Sequence, residues 1–254
     1  MRLRRQREHL YLFQHVAKCA GTSINHTIRD AGIGSIFIKE KRHDKDEIRH
    51  EVESALAERP DLPASLEAIH GHRVFYGLHN YSPRAPRYFT FLRDPVARCI
   101  SNYNYNARNA HDPHTKVHDR DRARMLREEG LTPFREWLRD HYTDNGMVRF
   151  LSAAMEGSHA PPYIDGPVMD HHLLAAKEFL RLCFFIGFTD RSERDIPWIL
   201  GQMKLRPPAK RENVSGEYVS LEQDSSIVRS ILDLNLYDIE LYQFALALRE
   251  RRAH

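Results

Sequence analysis

Short apolar runs alternate with longer stretches of helical periodicity along this chain. Leu10-Tyr11-Leu12-Phe13, continuing to Gln14-His15-Val16, predicts a buried strand over residues 10–16. A turn of small residues, 17–21, leads into a helix over 23–31 that Gly32 and Gly34 stop. A second strand is predicted over 35–38. Residues 44–58 place Ile48, Val52, Ala55 and Leu56 at helical spacing among charges, an amphipathic surface helix. Residues 70–77 read as extended and 87–92 as a strong strand. Asp94-Pro95 then supplies an N-cap and first helical residue, and Val96, Cys99, Ile100 and Tyr103 form the buried stripe. A polar loop or lid is expected over 108–124, one or two helices over 133–151 and another over 173–182. A buried strand over 183–188 and a helix over 196–205 follow. Then come a basic loop over 206–218 and closing helices behind a Ser220/Gln223 capping box. Strands alternating with helices predict an α/β fold: a central, mostly parallel sheet flanked by helices in three layers, as one domain over 1–254.

Composition narrows the function classes. The hydrophobic fraction of 41% supports one good core and excludes a disordered chain. A net charge of +3 does not call for a nucleic-acid partner. The three cysteines, Cys19, Cys99 and Cys183, are odd in number and far apart, so no disulfide framework is expected. The basic start Met1-Arg2-Leu3-Arg4-Arg5 is followed by too short an apolar stretch for a signal peptide, and no run approaches a membrane span, so a cytoplasmic location is the expectation.

Two strand-to-helix junctions carry candidate chemistry. Ala17-Lys18-Cys19-Ala20-Gly21-Thr22-Ser23 puts backbone N–H groups and the positive end of a helix where an anion can bind, with Lys18 as a cation and two hydroxyls as further donors. It is no Walker A loop, because Lys18 precedes the glycine. An ordinary turn with a surface lysine has the same local pattern. At the second junction Arg93 ends a strand and Ser101 lies about two turns into the next helix; guanidinium plus hydroxyl suits a second phosphate.

Together these motifs resemble a known family. His15-Val16-Ala17-Lys18-Cys19-Ala20-Gly21-Thr22-Ser23 is similar to the 5′-phosphosulfate loop of sulfotransferases. Leu92-Arg93-Asp94-Pro95 through Ser101-Asn102-Tyr103 resembles their 3′-phosphate motif. The subgroup it most resembles is that of heparan sulfate 2-O-sulfotransferases and bacterial carbohydrate sulfotransferases. His70-Gly71-His72, the segments 144–151 and 185–190, and the closing 236–242 are similar to that subgroup too. Ala17 stands where the family pattern has Pro and Cys19 where it has Thr, which implies a less rigid loop with one hydroxyl fewer.

The resemblance implies a P-loop-like fold, the donor 3′-phosphoadenosine 5′-phosphosulfate, no metal, and a hydroxyl acceptor, which the subgroup's pattern makes a carbohydrate. It assigns the donor to Lys18, Cys19, Ala20, Gly21, Thr22, Ser23, Arg93 and Ser101, with Lys210 and Arg211 in a covering loop. Lys18 would neutralise charge on the leaving phosphate. It places the general base at His72 and a supporting or acceptor-contacting role at His70, with His15 the next rival for the base. If that segment is extended, His70 and His72 share a face. Asn145 and Arg149, four apart on a helix, are candidates to orient the acceptor; a capping Asn and a solvated Arg fit the same spacing. His111, His114 and His118 have spacings that a zinc site can use, but Asp112-Pro113 disfavours a helix there, and a polar lid is the preferred reading. Two other classes remain in view: a P-loop nucleotide kinase or phosphotransferase, and a non-catalytic module that binds anionic glycans through Lys39, Lys41, Arg42, Arg73, Arg84 and Arg87.

Overall fold

The structure is a computed structural model that describes residues 8–38, 44–110, 131–138, 144–162, 164, 166–207 and 225–252. Five parallel strands form one sheet in the order β2-β3-β1-β4-β5. They are β1 (His9–Gln14), β2 (Gly34–Ile38), β3 (Leu66–Gly71), β4 (Ala85–Leu92) and β5 (Phe185–Phe188). Nearly every residue of β1, β3 and β5 is buried, as expected of parallel strands covered on both faces.

Helices α1 (Gly21–Asp30), α2 (Lys45–Glu58) and the short α3 (Leu62–Ser65) connect the first three strands. Asp44 caps α2 by accepting the Asp46 N–H at 2.6 Å. Helix α4 (Pro95–Ala110) follows β4, and Asp94 caps it as its sequence predicts, accepting the Ala97 N–H at 2.9 Å. Beyond it lie α5 (Leu131–Leu138), α6 (Gly146–Met155), α7 (Asp170–Leu182), α8 (Ser192–Gln202), α9 (Ser225–Leu234) and α10 (Leu236–Arg252). Among the described residues no helix is long and apolar enough to cross a membrane.

Register is what positions the site. Gln14 on β1 pairs with Gly71 on β3 and with Thr90 on β4, so the three central strands end nearly level. The chain leaves β1 toward β2 on one side, then crosses back past β1 from β3 to β4 on the other. The carboxyl ends beside such a reversal form the crevice where open α/β sheets bind ligands. The β1 ending is fixed further by Thr90 Oγ1, which donates to the Gln14 carbonyl at 2.8 Å.

The main differences from the sequence-based expectation lie at strand ends. β1 stops at Gln14 rather than 16: His15 still donates its N–H to the Gly71 carbonyl of β3, and the turn that follows closes from Cys19 to Val16. β3 covers 66–71, whereas the sequence reading began an extended segment at 70. Gly71, at φ +136°, ends the strand with its α-hydrogen facing the Ile38 carbonyl at a distance no side chain tolerates. His70 and His72 therefore do not belong to one extended segment.

Two helix starts hold each other. Asn145 Oδ1 accepts the Tyr237 and Asp238 N–H groups at the start of α10. Asp238 in turn accepts the Met147 and Val148 N–H groups at the start of α6, at 3.0 and 2.8 Å. This carboxylate is fully buried, with the Arg98 guanidinium from α4 beside it at 3.6 Å. Removing it strands a buried cation and uncaps a helix. Asp238→Ala is expected to lose about 3–5 kcal/mol of stability, the cost of breaking a buried ion pair from one side. Chemical denaturation followed by circular dichroism measures it; a loss below ~1 kcal/mol contradicts the assigned role.

Candidate functional site

The loop between β1 and α1 is built on strained backbone. Lys18 and Ala20 both adopt left-handed conformations, at φ 66° and 62°, which non-glycine residues enter at a cost. The Cys19 N–H closes the turn on the Val16 carbonyl at 3.3 Å. Ala20 is the N-cap of α1 and makes no side-chain cap hydrogen bond to the helix. Gly21 is required by a close approach: a Cβ there would lie 2.0 Å from the His15 ring. The loop thus leads into a helix N-terminus that its own N-cap side chain leaves open, with half-buried Thr22 and Ser23 in its first turn.

The Arg93 guanidinium reaches across from the end of β4 and donates to the Lys18 carbonyl at 3.4 Å, which joins the two junctions. Ser101 is buried on α4. The Lys18 ammonium rests 4.0 Å over the Tyr105 ring, on the same helix and one turn beyond Ser101. Burial, with Arg93 and Arg108 nearby, lowers its pKa to about 8.

A histidine cluster lines the neighbouring strand ends. The His15 N–H donates to the Gly71 carbonyl at 3.0 Å, and the His15 carbonyl accepts from His72 Nδ1 at 2.7 Å. The His15 and His72 rings stack, with centroids 3.9 Å apart. Gln14 Nε2 donates to the His72 carbonyl at 3.1 Å. Because a carbonyl only accepts, His72 carries a proton on Nδ1, which leaves Nε2 as the accepting nitrogen of the neutral ring form. Burial holds His15 well below the usual histidine range, reinforced by His72, His70 and Lys18; burial brings His70 down to about 4, reinforced by Arg29.

Several sequence-based assignments change. The Cys19 thiol is packed in the core with its pKa pushed up to about 12, and its N–H is spent on the turn, so Cys19 shapes the loop rather than contacting a donor. His70 is buried on β3 with Nδ1 bonded to Asn25 at 2.9 Å. Asn145 spends its whole carboxamide inside the protein: Oδ1 on α10, Nδ2 on Asp144 and the Leu234 carbonyl. Arg149 is buried against Asp144 and the Ile164 and Gly166 carbonyls. Both fasten α6 in the fold.

The glycan-patch reading also weakens. Arg73 is buried on the Ala160 and Pro161 carbonyls, Arg84 bonds the Ala64 carbonyl, and Arg87 stacks on Phe184. Lys39, Lys41, Arg42, His111, His114, His118, Lys210 and Arg211 lie outside the described residues. Among the described residues no group of three or more His, Cys, Asp or Glu side chains is arranged to hold a metal ion.

Sequence reasoning missed Gln14, Asn25 and Tyr105. Gln14 is a polar residue ending an apolar strand, Asn25 sits beside Ile24 on the buried face of α1, and Tyr105 lies four residues from Ser101. A polar residue at a buried position is the available signal for the first two.

The depressed histidines tie stability to pH. In the unfolded chain a histidine binds its proton near pH 6.5; folded His70 does so only near 4, so the unfolded state binds more protons between these values. Stability is complete above pH 6.5 and falls as pH drops toward 4, by about 3 kcal/mol from His70. His15 acts in the same direction. Urea midpoints from pH 7.5 to 4.5 measure this; a His70→Asn variant with an unchanged pH slope contradicts it.

Comparison with known proteins adds an independent finding. Comparison with curated proteins gives no match. Among solved structures, the mouse sulfotransferase SULT7A1 complexed with PAP matches with a TM-score of 0.39 at 12% identity, covering 92% of this chain and 66% of that one. The family model described as the sulfotransferase family matches residues 1–245. With that match over nearly its whole length, the chain belongs to the sulfotransferase family.

Proposed function

We propose that the protein transfers the sulfuryl group of 3′-phosphoadenosine 5′-phosphosulfate to an acceptor hydroxyl of a carbohydrate, with His72 as general base. The observation that carries this reading is the coupling of His72 to the phosphate loop. Its ring stacks on His15 and donates Nδ1–H to the His15 carbonyl, three residues before Lys18. A base held on the residue that opens an anion loop can serve an acceptor placed in line with the bound group.

In the proposed reaction His72 Nε2 takes the acceptor's hydroxyl proton as the acceptor oxygen bonds to sulfur. The bond between sulfur and the bridging oxygen of the 5′-phosphate breaks, and its electron pair leaves with the phosphate. Lys18 and the N–H groups opening α1 stabilise the charge that grows there. Lys18 must give up the Tyr105 ring for the phosphate, an exchange of a weak contact for a charged one. Arg93 and Ser101 take the 3′-phosphate, which distinguishes this donor from ATP. Lys210 and Arg211 are proposed to cover the nucleotide. The single chain 1–254 serves as one sulfotransferase domain in this reading. His70 supports the base, and the cationic side chains do the work that a metal does in phosphoryl transfer.

Calorimetry with 3′-phosphoadenosine 5′-phosphate tests the nucleotide site. It is expected to bind more tightly than ATP, and at about 100 times its Kd to stabilise the fold by about 2.7 kcal/mol. Ser101→Ala and Arg93→Ala are expected to erase the preference; equal or tighter binding of ATP to the unmodified protein contradicts the assignment. The acceptor class is tested by mass spectrometry of products from a panel of sugars and simple alcohols. With an acceptor in hand, His72→Ala is expected to lower single-turnover transfer by about 10²–10⁴ with nucleotide affinity retained. Near-normal transfer by His72→Ala, with collapse in His15→Ala, would move the base.

A further inference from the structure

One buried carboxamide joins two of the three clustered histidines. Asn25 Nδ2 donates to His15 Nδ1 at 2.8 Å, and Asn25 Oδ1 accepts from His70 Nδ1 at 2.9 Å. All three side chains are buried. An amide has distinct donor and acceptor ends, so this bridge dictates complementary tautomers: His15 bears its proton on Nε2 and His70 on Nδ1. His72, stacked on His15 and bonded to its carbonyl, completes the chain. Asn25 lies on α1, the helix whose N-terminus forms the phosphate loop.

We infer that Asn25 is a positioning residue that keeps His15 neutral and in one tautomer, and through His15 holds His72 oriented to accept a proton. The inference rests on the assignment of His72 as base. When His72 takes the acceptor proton it becomes an imidazolium stacked on His15. A neutral His15 ring tolerates that neighbour, whereas a protonated one repels it. The groups facing His15 are His72, His70 and Lys18, all of which oppose a charge on it. Protonating His15 Nδ1 would also set two donors against each other at Asn25.

Long-range proton–nitrogen NMR on the nitrogen-labelled 254-residue chain reads the tautomers directly. The expected spectrum has His15 protonated at Nε2 and His70 and His72 protonated at Nδ1. Asn25→Asp keeps the shape but replaces the donor by an acceptor. It is expected to move the His15 proton to Nδ1 and to lower kcat by about 10- to 100-fold, the scale at which partners orienting a functional histidine act, with affinity for 3′-phosphoadenosine 5′-phosphate unchanged. A wild-type spectrum with His15 protonated at Nδ1 overturns the inference even if the variant does not fold. So does an Asn25→Asp protein with a switched His15 and normal kcat, an outcome that leaves His72 as base. Normal turnover in His72→Ala instead overturns the base assignment and, with it, the role given to Asn25, while the measured tautomers stand.

Discussion

His15 makes the connection on which the rest of the site depends. Its N–H holds the end of β3 through Gly71, its carbonyl holds the His72 ring, and its own ring fills the space that Gly21 leaves at the start of α1. One residue thus fixes the distance between the phosphate loop and the histidine beyond β3. That connection is available only because β1, β3 and β4 end in register, and parallel pairing makes such an ending a property of the whole sheet. A shift of one residue would turn His15 to the opposite face.

Charge follows the same plan. The crevice holds Lys18, Arg93 and Arg108 close enough to oppose one another. His15 and His70 beside them are kept neutral by burial. Cations gathered beside a helix start raise one another's energy and are favoured once an anion enters. The strained backbone at Lys18 and Ala20 belongs to the same arrangement: it opens the helix N-terminus to the crevice and is held by the turn bond from Cys19 to Val16.

Much of this was legible in the residues. The alternation of strands and helices predicts the parallel sheet, and Asp94-Pro95 predicts the start of α4. The two junctions at 17–23 and 93–101 do lie together, bridged by Arg93 and the Lys18 carbonyl. What the sequence hides is side-chain direction. Asn145 and Arg149 are four apart, but periodicity does not reveal that Asn145 is the left-handed N-cap of α6, tied to the start of α10, while Arg149 turns to Asp144 and the Ile164 and Gly166 carbonyls. Cys19 looks like a loop ligand until its thiol is seen in the core. His70 and His72 read as one extended pair because the positive φ of Gly71 leaves no mark except the glycine itself. Asn25 shows in the sequence only as a polar residue on an apolar helix face: its role depends on His70, 45 residues away.

The central claim is that one crevice, at the ends of β1, β3 and β4, holds both the nucleotide and the base. A crystal structure of the protein with 3′-phosphoadenosine 5′-phosphate tests it most directly. The account predicts the 5′-phosphate on the N–H groups opening α1 with Lys18 moved onto it from Tyr105, the 3′-phosphate on Arg93 and Ser101, and His72 Nε2 facing the 5′-phosphate. A nucleotide bound elsewhere, or one whose 5′-phosphate lies away from both Lys18 and His72, would contradict it.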